Sequence, residues 1–421
     1  MSWIGVRRAI CVLKRRMVFP NRFIMQVVQV QQKRKGRNML GVCLKYQQNN
    51  YGSKLQALAT VRTLEHFGME YEIIRYNKKT IRFLLKSIPR FLNFVFLNDR
   101  YDQIQRSIEY RRHPEVLEKI EIRRAAFHAF DVHFQGHLSE VYPSYEKLKK
   151  NCATRYQKLI TCSDQLWSPS ALGSGFYNLM FVPERIEKIS WASSFGVSNI
   201  PWYQKKRTKE YLSRIQHISM RENRGAEIVR ELTGRTVPVL MDPVFVFDQI
   251  EWRDLVPECE AEWENYLFCY FLGDNPEHRN AARRLAEKTG MRIVTLPHLD
   301  RYVADDEDFG DYEPYDVGPE RFLNILRNAR CVCTDSFHGA AFSVIHDKQF
   351  LIFDRYSNQS SNSKNSRIES LCENLGLENR RYSVDKDILE QMECPIDYSA
   401  VQKRLLKYRT ETKEYLKKAL G

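Results

Sequence analysis

Ala329-Arg330-Cys331-Val332-Cys333 leads into Thr334-Asp335-Ser336-Phe337-His338-Gly339, and Ala340-Ala341-Phe342-Ser343-Val344-Ile345 follows. A short apolar run, a polar loop and an apolar run at helical spacing spell strand, tight turn and helix start. In an α/β sheet that junction lies at the carboxyl end of a strand, where ligands bind. The first turn of such a helix offers unpaired N–H groups and a positive dipole end to an anion. A histidine there can exchange a proton near neutral pH. The loop therefore suits an acidic ligand and a proton transfer.

The same grammar recurs in both directions along the chain. Met39–Leu44 reads as a buried strand, Ser53–Phe67 as a helix stopped by Gly68, and Tyr71–Tyr76 as a second strand, with Ser53 as the expected helix cap. Residues 78–150 break the rhythm and read as a basic, helical excursion. Strands resume at 159–162, 188–193 and 217–220, followed by a helix over 225–232 and the run Val237–Met241 before Asp242. Residues 244–264 read as a linker. Beyond it the strands are 266–272, 291–296, 330–333 and 349–353, with helices over 276–288, 320–328, 366–375 and 398–420. Two successive βα arrays predict an α/β protein of two facing Rossmann-like domains, the GT-B layout, with ligand in the cleft between them. The expected division is a basic extension over 1–38, a first domain over 39–243, the linker, a second domain over 265–394 and a terminal helix over 395–421.

At 421 residues, two domains are the natural reading. The net charge of +14 is concentrated: residues 1–38 hold ten basic side chains and no acid, which leaves +4 for the remainder. The body thus makes no case for nucleic-acid binding. The arm reads first as a solvated extension with Met39 as the working start, ahead of a targeting segment or a membrane-surface arm. The crowded apolar residues from Phe83 to Phe96 read as packing, with a basic amphipathic surface on anionic lipid as the alternative. No apolar run approaches the roughly 18 residues a bilayer span needs. Ten scattered cysteines without a Cys-x-x-Cys pair suit a reducing cytoplasm and no zinc site, and Cys331 and Cys333 read as core.

Four loops share the strand-end position. They carry Asn49, Asn50, Gly52 and Ser53; Ser163, Asp164, Gln165 and Trp167; Arg221 and Glu222; and Asp335, Ser336 and His338. Arg221 reads as a two-pronged clamp for a carboxylate or phosphate, or as the ion-pair partner of Glu222 or another nearby acid. Asp164 reads as a proton acceptor or the partner of His338, or as a turn-forming cap. His338 reads as an acid/base, or as a helix-end hydrogen-bonding group.

These residues, in this order, resemble the polysaccharide pyruvyl transferase family. The resemblance runs through Met39–Tyr76 with Asn49–Ala57, then Cys162–Pro169, Ile189–Gly196, Ile218–Glu222, Thr334–Ser343 and Asn365–Ile368. It implies a GT-B-like fold and a transferase that moves pyruvate from phosphoenolpyruvate to a sugar of a cell-surface or exopolysaccharide precursor, as a ketal. It implies no cofactor, and a donor site built on Arg221 and His338. Better-understood members carry an arginine two residues before that histidine, where this chain has Ser336; Arg355 and Arg367 are the candidates to replace that cation. Asp164 joins His338 as the catalytic pair. Asn50, Gly52, Ser53, Gln165, Trp167, Asp335 and Ser336 are expected to line the substrate. Partners on this reading are phosphoenolpyruvate and a sugar or lipid-linked oligosaccharide, in the cytoplasm, with the inner membrane face as a variant. The alternatives are a nucleotide-sugar glycosyltransferase of the same fold and a non-catalytic glycan-binding relative.

Overall fold

Ten parallel strands form two sheets among the residues that the computed structural model describes: 39–77, 114–169, 175–298, 302–355 and 366–421. The basic arm over 1–38 and the Phe83–Phe96 run lie outside the described residues. The described residues belong to one compact unit, Met39–Gly421. In the first half the strands are β1 Leu40–Cys43, β2 Tyr71–Tyr76, β3 Leu138–Tyr142, β4 Lys158–Cys162, β5 Glu187–Ser193 and β6 His217–Met220. The second half holds β7 Tyr266–Tyr270, β8 Arg292–Thr295, β9 Cys331–Thr334 and β10 Gln349–Ile352. Helices α1 Tyr51–His66, α2 Pro114–Ala129, α3 Val132–Gln135, α4 Tyr145–Arg155, α5 Trp202–Ser213 and α6 Asn223–Thr233 accompany the first sheet. They are followed by α7 Gln249–Leu255, α8 Pro276–Thr289, α9 Pro319–Asn328, α10 Phe337–Ile345, α11 Ser366–Leu375, α12 Ile388–Glu393 and α13 Tyr398–Leu420. No described helix is long and apolar enough to cross a membrane.

Parallel sheets are covered on both faces, so their strands are apolar throughout rather than alternating. All four residues of β1 and all five of β7 are buried. The sheet orders are β3-β2-β1-β4-β5-β6 and β10-β9-β7-β8. Each order reverses direction once, between β1 and β4 and between β7 and β9. A crevice opens at such a switch point beyond the carboxyl ends of the strands. The loops singled out in the sequence follow β1, β4, β6 and β9.

Several features differ from the sequence reading or go beyond it. The excursion over 78–150 is not wholly helical, because β3 pairs with β2 as an edge strand. Ser53 does not cap α1; Asn50 does, its side chain accepting from Ser53 N at 3.0 Å. The stretch over 244–264 carries α7, closed by an Asp248–Glu251 capping box, and the fully buried Trp252. The terminal helix α13 packs back onto the first half: Tyr415 Oη donates to Ser190 O at 2.8 Å and Lys158 Nζ to Ala419 O at 3.0 Å. Helix α5 has no counterpart in the sequence reading.

One hydrophobic cluster runs through both halves, from Val42 and Ile160 to Phe268 and Val332. Tyr51, in the first turn of α1, is its rivet. Its ring stacks on Phe322 at 4.6 Å, and its hydroxyl donates to Val317 O at 3.1 Å. The start of α1 is thereby held against the second half, beside α10.

Candidate functional site

The switch point of the first sheet is closed by Asp164. Ser163 and Asp164 both take left-handed backbone angles, φ 39° and 56°. Such angles cost non-glycine residues about 1–3 kcal/mol and persist only where surroundings impose them. Here Ser163 N donates to Trp191 O (2.8 Å), and Ser194 N donates to Asp164 O (3.2 Å). The Asp164 carboxylate accepts from Ser53 Oγ at 2.9 Å and from Gln165 N at 2.6 Å, and pairs with Lys45 Nζ at 3.1 Å. Burial alone would raise its pKa. Lys45, Arg221, the Gln165 N–H and His338 outweigh burial and hold the carboxyl well below the usual carboxylate range.

Asp242, at the end of the Val237–Met241 run, gathers the next three groups. One of its oxygens, Oδ2, accepts from Ser163 Oγ at 2.6 Å and from Arg221 Nη1 at 2.7 Å, and lies 3.6 Å from His338 Nε2. Arg221 and Asp242 are both fully buried. Burial pushes the Asp242 carboxyl up, but His338, Arg221 and Ser163 together pull it well below its ordinary value. Arg221 does not pair with Glu222. Glu222 Oε1 instead accepts from Ser194 Oγ, Phe195 N and Gly196 N and fixes the loop after β5. The Arg221 guanidinium lies 4.7 Å from the Phe337 ring, and its buried Nε and Nη2 have no hydrogen-bond partner among the described residues. A buried guanidinium with two idle donors is an invitation to an anion.

The second sheet supplies the facing wall. The Asp335 carboxylate accepts from Leu272 N and Gly273 N, both at 2.7 Å, and so closes the switch point between β7 and β9. Arg355 Nη2 bonds the Asp335 carbonyl at 2.8 Å and its carboxylate at 3.1 Å. Ser336 caps α10 by accepting from Gly339 N at 3.3 Å. Arg367, in the first turn of α11, lies 6.0 Å from the Phe337 ring, which Arg221 also approaches. With its amide oriented to satisfy its neighbours, Gln165 accepts from Arg367 Nη2 at 2.9 Å and Nε at 3.2 Å. Burial first, then the like charges of Arg221 and Arg355, pull the Arg367 pKa down to about 10. Arg367 thus faces the like charges of Arg221, which is paired with Asp242, and of Arg355, which is paired with Asp335.

Asp164, Gln165, Ser53, Arg221, Ser336, His338, Arg355 and Arg367 therefore form one connected group. Gly52 abuts His338, and Asn50 serves as the cap of α1. Asp335 is spent on holding Leu272, Gly273 and Arg355. Trp167 is a correction: it is fully buried, its indole N–H donates to Tyr177 O at 3.1 Å, and it packs on Phe195 and Tyr211. It belongs to the core. Lys45 and Asp242 were missed. The strand-end rule points to both, since Lys45 follows β1 and Asp242 follows an apolar run. No group of three or more His, Cys, Asp or Glu placed to hold a metal occurs among the described residues.

The model of the family described as polysaccharide pyruvyl transferase matches residues 50–358. No curated protein matches the chain. Similar solved structures include UDP-GlcNAc 2-epimerase from Neisseria meningitidis bound to UDP-GlcNAc, 10% identical, covering 90% of this chain and 100% of that one, with a TM-score of 0.44. UDP-GlcNAc 2-epimerase from Methanocaldococcus jannaschii is 11% identical, covering 88% of this chain and 99% of that one, with a TM-score of 0.43. A heptosyltransferase of E. coli with ADP is 11% identical, covering 88% of this chain and 99% of that one, with a TM-score of 0.35.

Proposed function

We propose the following reaction because the chain belongs to the polysaccharide pyruvyl transferase family: pyruvate passes from phosphoenolpyruvate to two hydroxyls of a sugar in a polysaccharide precursor, as a cyclic ketal. The observation that carries it is the arginine cluster. Arg367 meets the like charges of Arg221 and Arg355, and Arg221 keeps two buried donors without a partner among the described residues. Phosphoenolpyruvate brings about three negative charges in a small volume, which relieves that repulsion and fills those donors. Arg355 and Arg367 take the place of the arginine that Ser336 lacks.

In the reaction a proton adds to the methylene carbon of phosphoenolpyruvate, making a methyl group, and the first sugar oxygen bonds to C2. The bond from C2 to the phosphate oxygen breaks, and phosphate leaves with the electron pair. The second sugar oxygen then closes the ketal. Of the two hydroxyl protons, one ends in the methyl group and the other on phosphate. His338 Nε2, which faces Asp242 Oδ2 at 3.6 Å and has no hydrogen-bond partner among the described residues, is the group that gives and takes protons. Asp242 orients that ring. Asp164, with its depressed pKa, is a weak base. Its part is to hold Lys45 and Ser53 toward the anion.

The test is phosphate release from phosphoenolpyruvate with a panel of lipid-linked sugars, beside thermal stabilisation by phosphoenolpyruvate and by nucleotide sugars. Stabilisation by phosphoenolpyruvate and turnover with one acceptor are expected, and His338→Ala is expected to abolish turnover while still melting cooperatively. Stabilisation by a nucleotide sugar alone would replace this reading with a glycosyl transfer. Glycan binding with no phosphate release from any acceptor would make the chain a non-catalytic relative.

A further inference from the structure

Helix α5 starts with Trp202, Tyr203, Gln204, Lys205, Lys206, Arg207, Thr208 and Lys209. Trp202 is 83% exposed, the most exposed large apolar side chain among the described residues, and Tyr203 beside it is 52% exposed. Their rings meet edge to face at 5.9 Å. At 100° per residue, Trp202, Lys205, Lys206 and Lys209 share one stripe of the helix, and Thr208 and Tyr211 lie on the other side. The helix is docked by that other side, where Thr208 and Tyr211 are buried. The outer face thus combines the exposed Trp202 and Tyr203 rings with Lys205, Lys206 and Lys209, and a single acid, Glu210, lies among them. None of the four basic residues forms an ion pair within 4.0 Å among the described residues.

We propose that the outer face of α5, from Trp202 to Lys209, is an interfacial anchor that seats the protein on an anionic phospholipid bilayer. Tryptophan and tyrosine rings, apolar in body and polar at one edge, favour the headgroup level of a membrane. Lysines and arginine beside them meet the negative surface potential. Two protruding rings are too small an apolar patch for a stable protein partner, which needs about 800 Å² a side. The four cations instead match a surface of like negative headgroups. The anchor stands beside the cleft, because Gln204 in the first turn of α5 donates to Pro169 O at 3.1 Å. Pro169 lies four residues past Gln165, on the loop that carries Asp164 and Gln165. A bilayer under α5 would bring a membrane-borne acceptor to the rim of the site. The anchor does not depend on the donor being phosphoenolpyruvate.

The experiment is co-flotation of the full chain with vesicles of phosphatidylcholine containing about one third phosphatidylglycerol, set beside vesicles of phosphatidylcholine alone. Two variants are compared with the parent: Trp202→Ala with Tyr203→Ala, and Lys205→Glu with Lys206→Glu and Lys209→Glu. Each is expected to weaken binding to the anionic vesicles at least about tenfold. Melting temperature and stabilisation by phosphoenolpyruvate are expected to stay at parent values, since none of these residues touches the site. Parent-like vesicle binding by both variants overturns the proposal and moves the attraction to another basic part of the chain. Unchanged vesicle binding with loss of affinity for a soluble acceptor oligosaccharide also overturns it, because the rings are then a sugar platform.

Discussion

The α-carbon of Gly52 stands so close to the imidazole of His338 that a β-carbon on residue 52 would fall 2.1 Å from Nδ1. The first turn of α1 and the first turn of α10 are in contact here only because residue 52 has no side chain. Gly52→Ala must therefore displace the ring that faces Asp242. A misplacement of about 1 Å at a reacting group costs on the order of 100-fold in rate. Overpacking of this kind costs about 1–3 kcal/mol of stability. Phosphate-release kinetics should show kcat/KM down by about that factor, with a melting transition lowered but still cooperative. In a His338→Ala background the same change should have little further effect on rate. Parent-like turnover of Gly52→Ala would remove the ring position from the mechanism.

The convergence of distant loops was legible in the sequence because parallel sheets put every strand's carboxyl end on one side. Residues 71–76 and 398–420 were read to the residue, since their patterns are long and bounded by turn or cap residues. β3 was not read. It is a short, partly exposed edge strand inside a basic segment, where no alternation stands out. Pairings were illegible for another reason. Nothing local tells Arg221 to choose Asp242 over Glu222, its neighbour in sequence; the choice is made where β6 and the Val239 bridge bring residue 242 alongside. Trp167 was misread because an aromatic residue in a site loop looks alike whether it turns toward the ligand or the core.

Asp242→Asn tests the gathering of Arg221, Ser163 and His338 on one oxygen. Losing the charge leaves Arg221 buried without its counter-ion, at a cost of roughly 3–5 kcal/mol. Turnover should fall with it, because His338 loses the carboxylate that faces Nε2. The Asp242 pKa is lower in the folded protein than in the unfolded one. Such a carboxyl stabilises the fold above its unfolded pKa and loses that contribution as pH falls toward the folded value. In urea titrations the stability gap between parent and variant should be full at neutral pH and narrow below about pH 4. A gap that stays constant into acid would separate Asp242 from this linkage.

Arg367→Gln separates anion binding from folding. The guanidinium meets two like charges and has its pKa pulled down to about 10 by burial and by them. Removing it should leave the unliganded protein at least as stable as the parent. It should raise KM for phosphoenolpyruvate by about 10–100-fold, the range for a charge-assisted hydrogen bond. Arg367→Lys should recover part of that loss, because an ammonium cannot make both bonds to Gln165 while facing the anion. An unchanged KM in the glutamine variant would take Arg367 out of the donor site.

His346 sets a pH dependence that is unrelated to the reaction. It is 5% exposed, and Arg327 Nε donates to its Nε2 at 3.3 Å. Burial above all, with the Arg327 charge behind it, pushes its pKa from 6.5 down to about 3. Between those two values the unfolded chain binds a proton that the folded protein refuses, so stability rises with pH across the window and falls as pH drops through it. The slope from this one group reaches at most about 1.4 kcal/mol per pH unit. His346→Gln keeps an acceptor for Arg327 and has no proton to gain. The variant should lose stability against the parent at neutral pH through imperfect packing, and should recover ground as the pH is lowered toward about 5. Chemical denaturation at three pH values between those limits reads the slopes directly. Parallel slopes for parent and variant would mean that His346 accepts its proton in the folded protein after all.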